Sequence, residues 1–461
     1  MTMTNRSLVT IDDLSNEEIE AIFSMADDMA ESIDKQLDIC HGKIMASLFF
    51  EPSTRTRLSF EAAMHRLGGN VIGTVDIGAT SLSKGESIAD TAKIVGSYAD
   101  IITIRHPWEG AARVVAEYAG VPVINGGDGG HQHPTQTLCD LYTLYKERGA
   151  IKGLKIALWG DLKYGRTIHS LIFALAKFGA DILFCPSPGL EVPEHIIKKL
   201  IKEYGGELEK HNTSKEIKGS PFPLDAIYTT PSSPHQLAMM PDISIAVELE
   251  AGVDAIYVTR PQKERFADAE EARITKEELP VVDKSLLKGK AFKKSLVMHP
   301  LPRVDELAYE LDADPRSMYF KQAARGVPVR MALLALLLGR KEVSVPISPL
   351  TGADYPVYKK ESGVVCPNLK CVSVQETETK YLSPEFKIVD RDPLTLRCVY
   401  CEHGFAPKYL ASTDWHEGKT DTKKYHKADS HWAGIIKPEN LIIFNSASDA
   451  EAHGFRPSHY A

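Results

Sequence analysis

The sequence predicts an α/β protein: two Rossmann-like parallel-sheet lobes followed by a small β-rich domain built around paired cysteines. Three observations lead there. Short β-rich runs alternate with segments of helical spacing through about residue 300. Polar, often arginine-bearing motifs follow those runs, where parallel sheets gather their chemistry. Four of the seven cysteines fall between Cys366 and Cys401.

The 461 residues are 43% hydrophobic and 25% charged, ordinary for a globular chain of roughly three domains. A formal net charge of −8 gives no basic field for nucleic acid. No stretch reads as a signal peptide or is long and apolar enough to span a bilayer, so no membrane partner is expected. Cys40, Cys139 and Cys185 are scattered, unlike a secreted disulfide framework, which predicts a reducing, cytoplasmic setting.

In order, residues 10–40 read as helices, with Asp12 or Ser15 as caps and Ile19, Ile22, Phe23 and Met25 to Met29 as apolar faces. Ile44 to Phe50 has strand length. Leu58, Phe60, Ala62, Ala63, Met64 and Leu67 then fall at helical spacings until Gly68-Gly69. Strands are predicted at Val71–Val75, Ile101–Ile104 and Val121–Ile124, with helices at Glu86–Tyr98 and Glu109–Tyr118 between them. Leu138–Lys146 reads as a connecting helix. The second lobe follows with strands Lys155–Trp159, Asp181–Cys185, Ala255–Val258 and Leu296–His299 and a helix at Arg166–Phe178. Asn212 to Pro241 is irregular and proline-rich around Ala226-Ile227-Tyr228, and reads as an insertion. The expected domains are 1–150, completed by a helix at about 305–340, then 151–304, a linker at 341–365 and a terminal domain at 366–461.

Between the first strand and its helix lies Ser53-Thr54-Arg55-Thr56-Arg57. Free backbone N–H groups and the positive helix end favour an anion there. Two hydroxyls and two guanidinium groups add donors suited to phosphate. The alternative is an N-cap with solvated arginines. Arg105-His106-Pro107 follows the strand ending at Ile104, and Gln132-His133-Pro134-Thr135-Gln136 opens a helix. A histidine so placed can donate to a carbonyl oxygen on which charge develops. That role is assigned to His133, and His106 is left open.

Phe49-Phe50-Glu51-Pro52-Ser53-Thr54-Arg55-Thr56-Arg57 resembles the carbamoyl-phosphate signature of the transcarbamoylases. The similarity to the aspartate-type catalytic chain runs nearly continuously to about residue 340 and implies the transcarbamoylase fold. It implies that Ser53, Thr54, Arg55, Thr56, Arg105, His133 and Gln136 hold carbamoyl phosphate, and that Arg55, Thr56 and His133 polarise its carbonyl. His299-Pro300-Leu301-Pro302-Arg303 is the aspartate-type version of a motif that carries cysteine in the ornithine enzymes. Leu301 and Pro302 would border the carbamoyl group, with the Leu301 carbonyl facing the amine. The polar loop Thr80 to Glu86 resembles one that crosses into a neighbouring subunit with Ser81 and Lys84. Their spacing is one residue shorter than in some members. Arg166 is assigned to the aspartate α-carboxylate, and Arg260 with Gln262 to its side chain. A homotrimer or larger assembly follows from the shared loop.

Cys366-x4-Cys371 and Cys398-x2-Cys401 are separated by twenty-six residues. Four thiolates with no open position suit structural zinc; an iron–sulfur centre is the lesser alternative. The segment is similar to the zinc domain of the aspartate transcarbamoylase regulatory chain, without room in the linker for that chain's nucleotide-binding domain. No metal is expected in catalysis. The tail after Gly404 predicts a strand at Leu441–Phe444 and a short helix near Ser448–Gly454. His416, His426, His431, His453 and His459 match no metal-site spacing. The expected function is aspartate carbamoyltransferase in pyrimidine synthesis. A transcarbamoylase for another amine, or a catalytically silent zinc scaffold, are the rivals.

Overall fold

The computed structural model describes residues 3–74, 85–186, 189–205, 224–230, 252–260, 282–304, 306–343, 354–359, 363–376, 381–414 and 423–458. Helix α1 (Asn16–Glu31) begins with a reciprocal capping box in which Ser15 accepts from the Glu18 N–H and Glu18 accepts from Ser15.

Lobe one holds β1 (Ile44–Phe49), β2 (Asn70–Thr74), β3 (Ile101–His106) and β4 (Val123–Asp128). They form a parallel sheet in the order β2-β1-β3-β4. β3 and β4 are buried along their whole length, as expected where helices cover both faces. The interleaved helices are α2 (Thr54–Arg66), α3 (Ile88–Gly96), α4 (Ala111–Tyr118) and α5 (Pro134–Arg148). The strand order reverses between β1 and β3. Their carboxyl ends are therefore the crevice in which such sheets bind ligands.

Lobe two is a five-stranded parallel sheet of β5 (Lys155–Gly160), β6 (Asp181–Pro186), β7 (Ala226–Thr230), β8 (Ala255–Val258) and β9 (Leu296–Met298), ordered β6-β5-β7-β8-β9. Helices α6 (Arg166–Lys177) and α7 (Glu194–Tyr204) belong to it. Here one expectation is corrected. Ala226–Thr230 is no part of an insertion: it is the central strand, wholly buried and paired to both β5 and β8. A five-residue strand flanked by prolines gives little periodic signal. The other residues of 212–241 lie outside those described.

Helix α8 (Tyr319–Leu337) packs on α1, α2 and α5 and returns the chain to lobe one. Among the described residues, no helix is long and apolar enough to cross a membrane.

The C-terminal part contains two four-stranded sheets. The first joins β10 (Val357–Tyr358), β11 (Phe386–Arg391), β12 (Leu394–Cys398) and β13 (Gly404–Phe405) in antiparallel order. The second orders β14 (Tyr409–Ser412), β15 (Lys424–Lys427), β16 (Leu441–Phe444) and β17 (Arg456–Pro457) as β16-β14-β15-β17. The stretch read as linker is therefore partly sheet. β10 pairs with β11, and the buried Tyr358 hydroxyl accepts the Ile443 N–H at 2.9 Å. Two residues are too few to show alternation. One apolar core runs from Ala46, Ile102 and Val115 of lobe one into Phe386, Leu396 and Tyr400.

Candidate active site and metal centre

A cavity of about 640 Å³ opens where the two lobes meet. Its lining includes Ser53, Thr54, Arg55, Thr56, Arg105, His133, Gln136, Arg260, Leu301 and Pro302. Segments far apart in sequence thus converge on one space. Lobe one supplies the start of α2, the end of β3 and the start of α5. The N-terminus of α2, with Ser53 as its N-cap, faces this cavity.

The lining is rich in positive charge. Arg55, Arg105, Arg260 and Arg330 contribute to it, and Glu51 is its one acidic residue among those described. Burial and then the nearby Arg260 charge pull the Arg55 guanidinium below its ordinary value. That mutual repulsion is what an anion would relieve. Arg105 is buried and held from both sides: Nη2 lies 3.2 Å from Glu51 Oε1 and Nη1 3.2 Å from the Gly126 carbonyl.

His133 is the N-cap of α5. Its backbone N–H donates to Ser170 Oγ at 2.9 Å, and Ser170 Oγ donates to Gln132 Oε1 at 2.6 Å. Its ring Nε2 lies 3.5 Å from Arg105 Nη1. The Gln136 amide donates to Asp140 Oδ1 at 2.8 Å. Asp140 also accepts from Gln322 at 2.7 Å and Tyr257 at 3.0 Å. Burial outweighs these bonds and raises its carboxyl to about 7.

Leu301 has a left-handed φ of 55°. Its N–H donates to His299 Nδ1 at 2.8 Å, and His299 Nε2 meets Glu306 Oε1 at 2.8 Å. With Nδ1 accepting, the proton resides on Nε2, so the imidazole is neutral and Glu306 is the ionised acceptor. Burial lowers the His299 value; burial of Glu306 works to raise its own, but the bond from His299 and backbone N–H groups overcome it and lower it. Both directions agree with that assignment.

His106 is brought elsewhere. It is buried, edge-on to Phe50 and Trp108, and accepts the Trp108 N–H at 3.0 Å. Burial lowers it to about 4; it is a neutral packing residue. Ser81, Lys84 and Gln262 lie outside the described residues, as does the side chain of Arg166.

Asp140, Glu306, Gln322 and Arg330 escaped the sequence reading. Arg330 is buried, donates to the Gly326 carbonyl at 2.9 Å and to Cys139 Sγ at 3.3 Å, and stacks over Phe60. The available signal was a charged residue inside an apolar helical run, Val329 to Leu338 for Arg330 and Leu138 to Leu144 for Asp140.

Cys366, Cys371, Cys398 and Cys401 are buried, with their sulfurs within 4.8 Å of one another. Cys366 and Cys401 are 3.6 Å apart, Cys371 and Cys398 3.8 Å. A disulfide would require about 2.05 Å. Tetrahedral thiolates at about 2.3 Å from a zinc ion stand roughly 3.8 Å from each other. The donor set thus fits a four-thiolate metal. Among the described residues no other cluster of three or more ligating groups occurs, and His426, His431 and His453 join none.

The third domain docks on both lobes. Glu109 pairs with the first knuckle: its N–H donates to the Lys370 carbonyl at 2.8 Å, the Val372 N–H donates to its carbonyl at 2.9 Å, and Asn368 donates to its carboxylate at 2.6 Å. Gly110, at φ 86°, lies so close to Tyr400 that a Cβ would come within 2.6 Å of backbone carbon. Glu376 accepts from the Ile88 N–H at the start of α3, and Arg397 pairs with Glu203 on α7.

Comparison with known proteins agrees with this geometry. The family model for the aspartate/ornithine carbamoyltransferase carbamoyl-P binding domain matches residues 6–146. That for the Asp/Orn binding domain matches 226–337, and that for the aspartate carbamoyltransferase regulatory chain metal binding domain matches 361–409. The aspartate carbamoyltransferase catalytic subunit of Thermococcus onnurineus is 46% identical over 341 residues, 74% of this chain and 99% of its own. That of Methanopyrus kandleri is 46% identical over 336 residues, 73% and 98%. Among solved structures, the M. jannaschii aspartate transcarbamoylase catalytic subunit is 43% identical, with TM-score 0.56 over 72% of this chain and 98% of that one. The Trypanosoma cruzi enzyme in complex with carbamoyl phosphate and aspartate is 35% identical, with TM-score 0.60 over 73% and 98%. The chain belongs to the aspartate carbamoyltransferase family and carries, in one polypeptide, a metal-binding domain of the regulatory-chain type.

Proposed function

We propose that the residues of the interlobe cavity carry out the family's reaction, transfer of the carbamoyl group from carbamoyl phosphate to the amine of L-aspartate, as follows. The phosphate sits on the N-terminus of α2, with Ser53, Thr54, Arg55, Thr56 and Arg105 as donors. Arg55, Thr56 and His133 donate to the carbamoyl oxygen, while the Gln136 amide oxygen and the Leu301 carbonyl, beside Pro302, receive the carbamoyl N–H groups. Arg166 takes the α-carboxylate of aspartate, and Arg260 with Gln262 the side-chain carboxylate.

The amine nitrogen forms a bond to the carbonyl carbon, and negative charge collects on the carbonyl oxygen. As the tetrahedral species collapses, the carbon–oxygen bond to phosphate breaks. Phosphate leaves with that electron pair and takes the amine's proton. Holding two anions together against their repulsion, and stabilising the oxyanion, supply the acceleration. No step requires a metal. The four cysteines hold a structural zinc ion in the C-terminal domain.

The single observation that carries this reading is the convergence of four guanidinium groups on one cavity with one carboxylate. That charge balance suits dianionic aspartate and opposes cationic ornithine. For assembly we infer a homotrimer or larger, with Ser81 and Lys84 crossing to a neighbour's site. Its support is the sheet-edge position of β2, which leads into that loop, and the exposed Leu58 and Ile72 beside it. We place the domains at 1–150 with α8, at 151–304, and in a third that, with β10 in its sheet, begins ahead of residue 366 and runs to 461. Only residues 338–360 separate the second and third family matches. A cytoplasmic setting suits seven cysteines none of which forms a disulfide.

The test is product formation from carbamoyl phosphate with aspartate or ornithine, beside Lys84→Ala. Carbamoyl aspartate from aspartate alone, lost in the variant, supports acceptor and shared loop. Turnover with ornithine contradicts the acceptor, and no turnover by zinc-loaded protein favours a scaffold.

A further inference from the structure

A second cavity, also about 640 Å³, lies where both lobes meet the metal-binding domain. Its lining includes His131, Lys199, His195, Glu402 and His403. At its base one carboxylate touches all three domains. Glu402 follows the ligand Cys401 and adopts a left-handed φ of 57°, which turns its side chain off the knuckle into the junction. Oε2 lies 3.3 Å from His131 Nε2 of lobe one, and both oxygens lie 3.2 Å from Lys199 Nζ on α7 of lobe two. Lys199 also pairs with Asp12 at 2.7 Å.

The contact continues toward the active site. His131 Nδ1 lies 3.0 Å from Asp128 Oδ2, which also accepts the Gly110 N–H at 2.9 Å. Asp128 Oδ1 accepts the Gln132 N–H at 3.2 Å, and Gln132 Oε1 receives the Ser170 hydroxyl that accepts the His133 N–H. With a carboxylate on each ring nitrogen, His131 is a doubly donating imidazolium. Asp128 and Glu402 overcome its burial and raise it to about 10. The links at Glu402, His131 and Asp128 are charge-assisted, and the neutral bonds that carry on through Gln132 and Ser170 to His133 are buried, so the loop 129–133 is fixed through its own backbone and side chains.

We propose that Glu402 is a positioning residue for carbamoyl transfer, clamping the His133 loop of lobe one to α7 of lobe two and thereby setting where His133 meets the carbamoyl oxygen. The inference rests on the reading of His133 as the group that polarises that carbonyl. It gives the fused domain a role inside its own chain's catalytic cycle: the knuckle supplies the charge that aligns the lobes. Small misplacements of a catalytic group cost rate more than ground-state binding.

The experiment compares the full chain with Glu402→Gln, Lys199→Gln and Arg397→Met, each assayed for bound zinc, kcat, and KM for carbamoyl phosphate and aspartate. Lys199→Gln opens the clamp from lobe two without touching the knuckle, should Glu402→Gln lose metal. Arg397→Met removes a different buried docking pair, Arg397–Glu203. The expected result is about a 10-fold loss of kcat in both clamp variants. Carbamoyl phosphate KM should move less than threefold, with zinc retained in at least one clamp variant and kcat near wild type in Arg397→Met. Unchanged kcat in both clamp variants, or an equal loss in all three, overturns the proposal while leaving the carbamoyltransferase reading intact. Absence of aspartate-dependent turnover in the wild type overturns both.

Discussion

Two cavities of about 640 Å³ each lie on the interlobe seam, and both are rich in cationic side chains. In the first, four arginines face Glu51 as the one acidic residue among those described. In the second, His131 and Lys199 are met by Asp128, Asp12 and Glu402. The difference is whether the buried cations have carboxylate partners within reach. Where cations outnumber buried carboxylates, the missing negative charge must come from a ligand. Where they are matched within hydrogen-bond reach, the same residue types make a joint.

The largest effect is expected at the four cysteines. Replacing Cys398 by Ser, or stripping the metal with a chelator, should release one equivalent of zinc and unfold the first C-terminal sheet. Structural zinc contributes on the order of 10 kcal/mol in small domains. Zinc analysis with hydrogen exchange over β11 and β12 checks this; retained protection without metal would contradict it.

The joint should also show in pH. His131 stands near 10 in the folded protein against 6.5 ordinarily. Its stabilisation is therefore complete below about pH 6.5 and lost as pH rises through about 10, with an upper bound of about 5 kcal/mol. The wild type should exceed His131→Gln in melting temperature most at pH 6.5, and the gap should close toward pH 10. A gap that widened with pH would reverse the charge assignment.

In the first cavity, Arg55→Ala should lower kcat by about 10²–10³-fold, the usual cost of losing one oxyanion donor, with little change in melting temperature. Steady-state kinetics beside thermal unfolding separates the two. The smallest effect sharpens the docking geometry. Gly110→Ala places a Cβ 2.6 Å from Tyr400 in a left-handed conformation and should destabilise by roughly 1–3 kcal/mol, read from denaturant midpoints.

What could be read from the sequence was local. The phosphate cradle and the His133 helix start are contiguous strings at strand ends, and the four-cysteine spacing is itself the ligand geometry. What escaped depends on distant partners. Asp140 acquires meaning only when Gln322, 182 positions away, and Tyr257 close around it. Glu402 reads as a charged residue after a cysteine until folding brings Lys199 to it across 203 positions. β7 was hidden for a different reason: buried on both faces, it lacks the alternation that marks a half-exposed strand. His106 shows the converse. Its neighbours in sequence suggested chemistry, and its aromatic surroundings make it packing.

The most direct test is calorimetric titration with N-(phosphonacetyl)-L-aspartic acid, the compound bound in a related Trypanosoma cruzi structure, whose phosphonate and two carboxylates match the excess of cations. The expected result is one equivalent bound per chain, with affinity falling at least 10-fold in Arg55→Ala and in Arg260→Ala and remaining unchanged in Lys198→Ala at the edge of the second cavity. Binding no tighter than that of inorganic phosphate, or indifferent to both arginines, would contradict the assignment of the interlobe cavity to the two substrates.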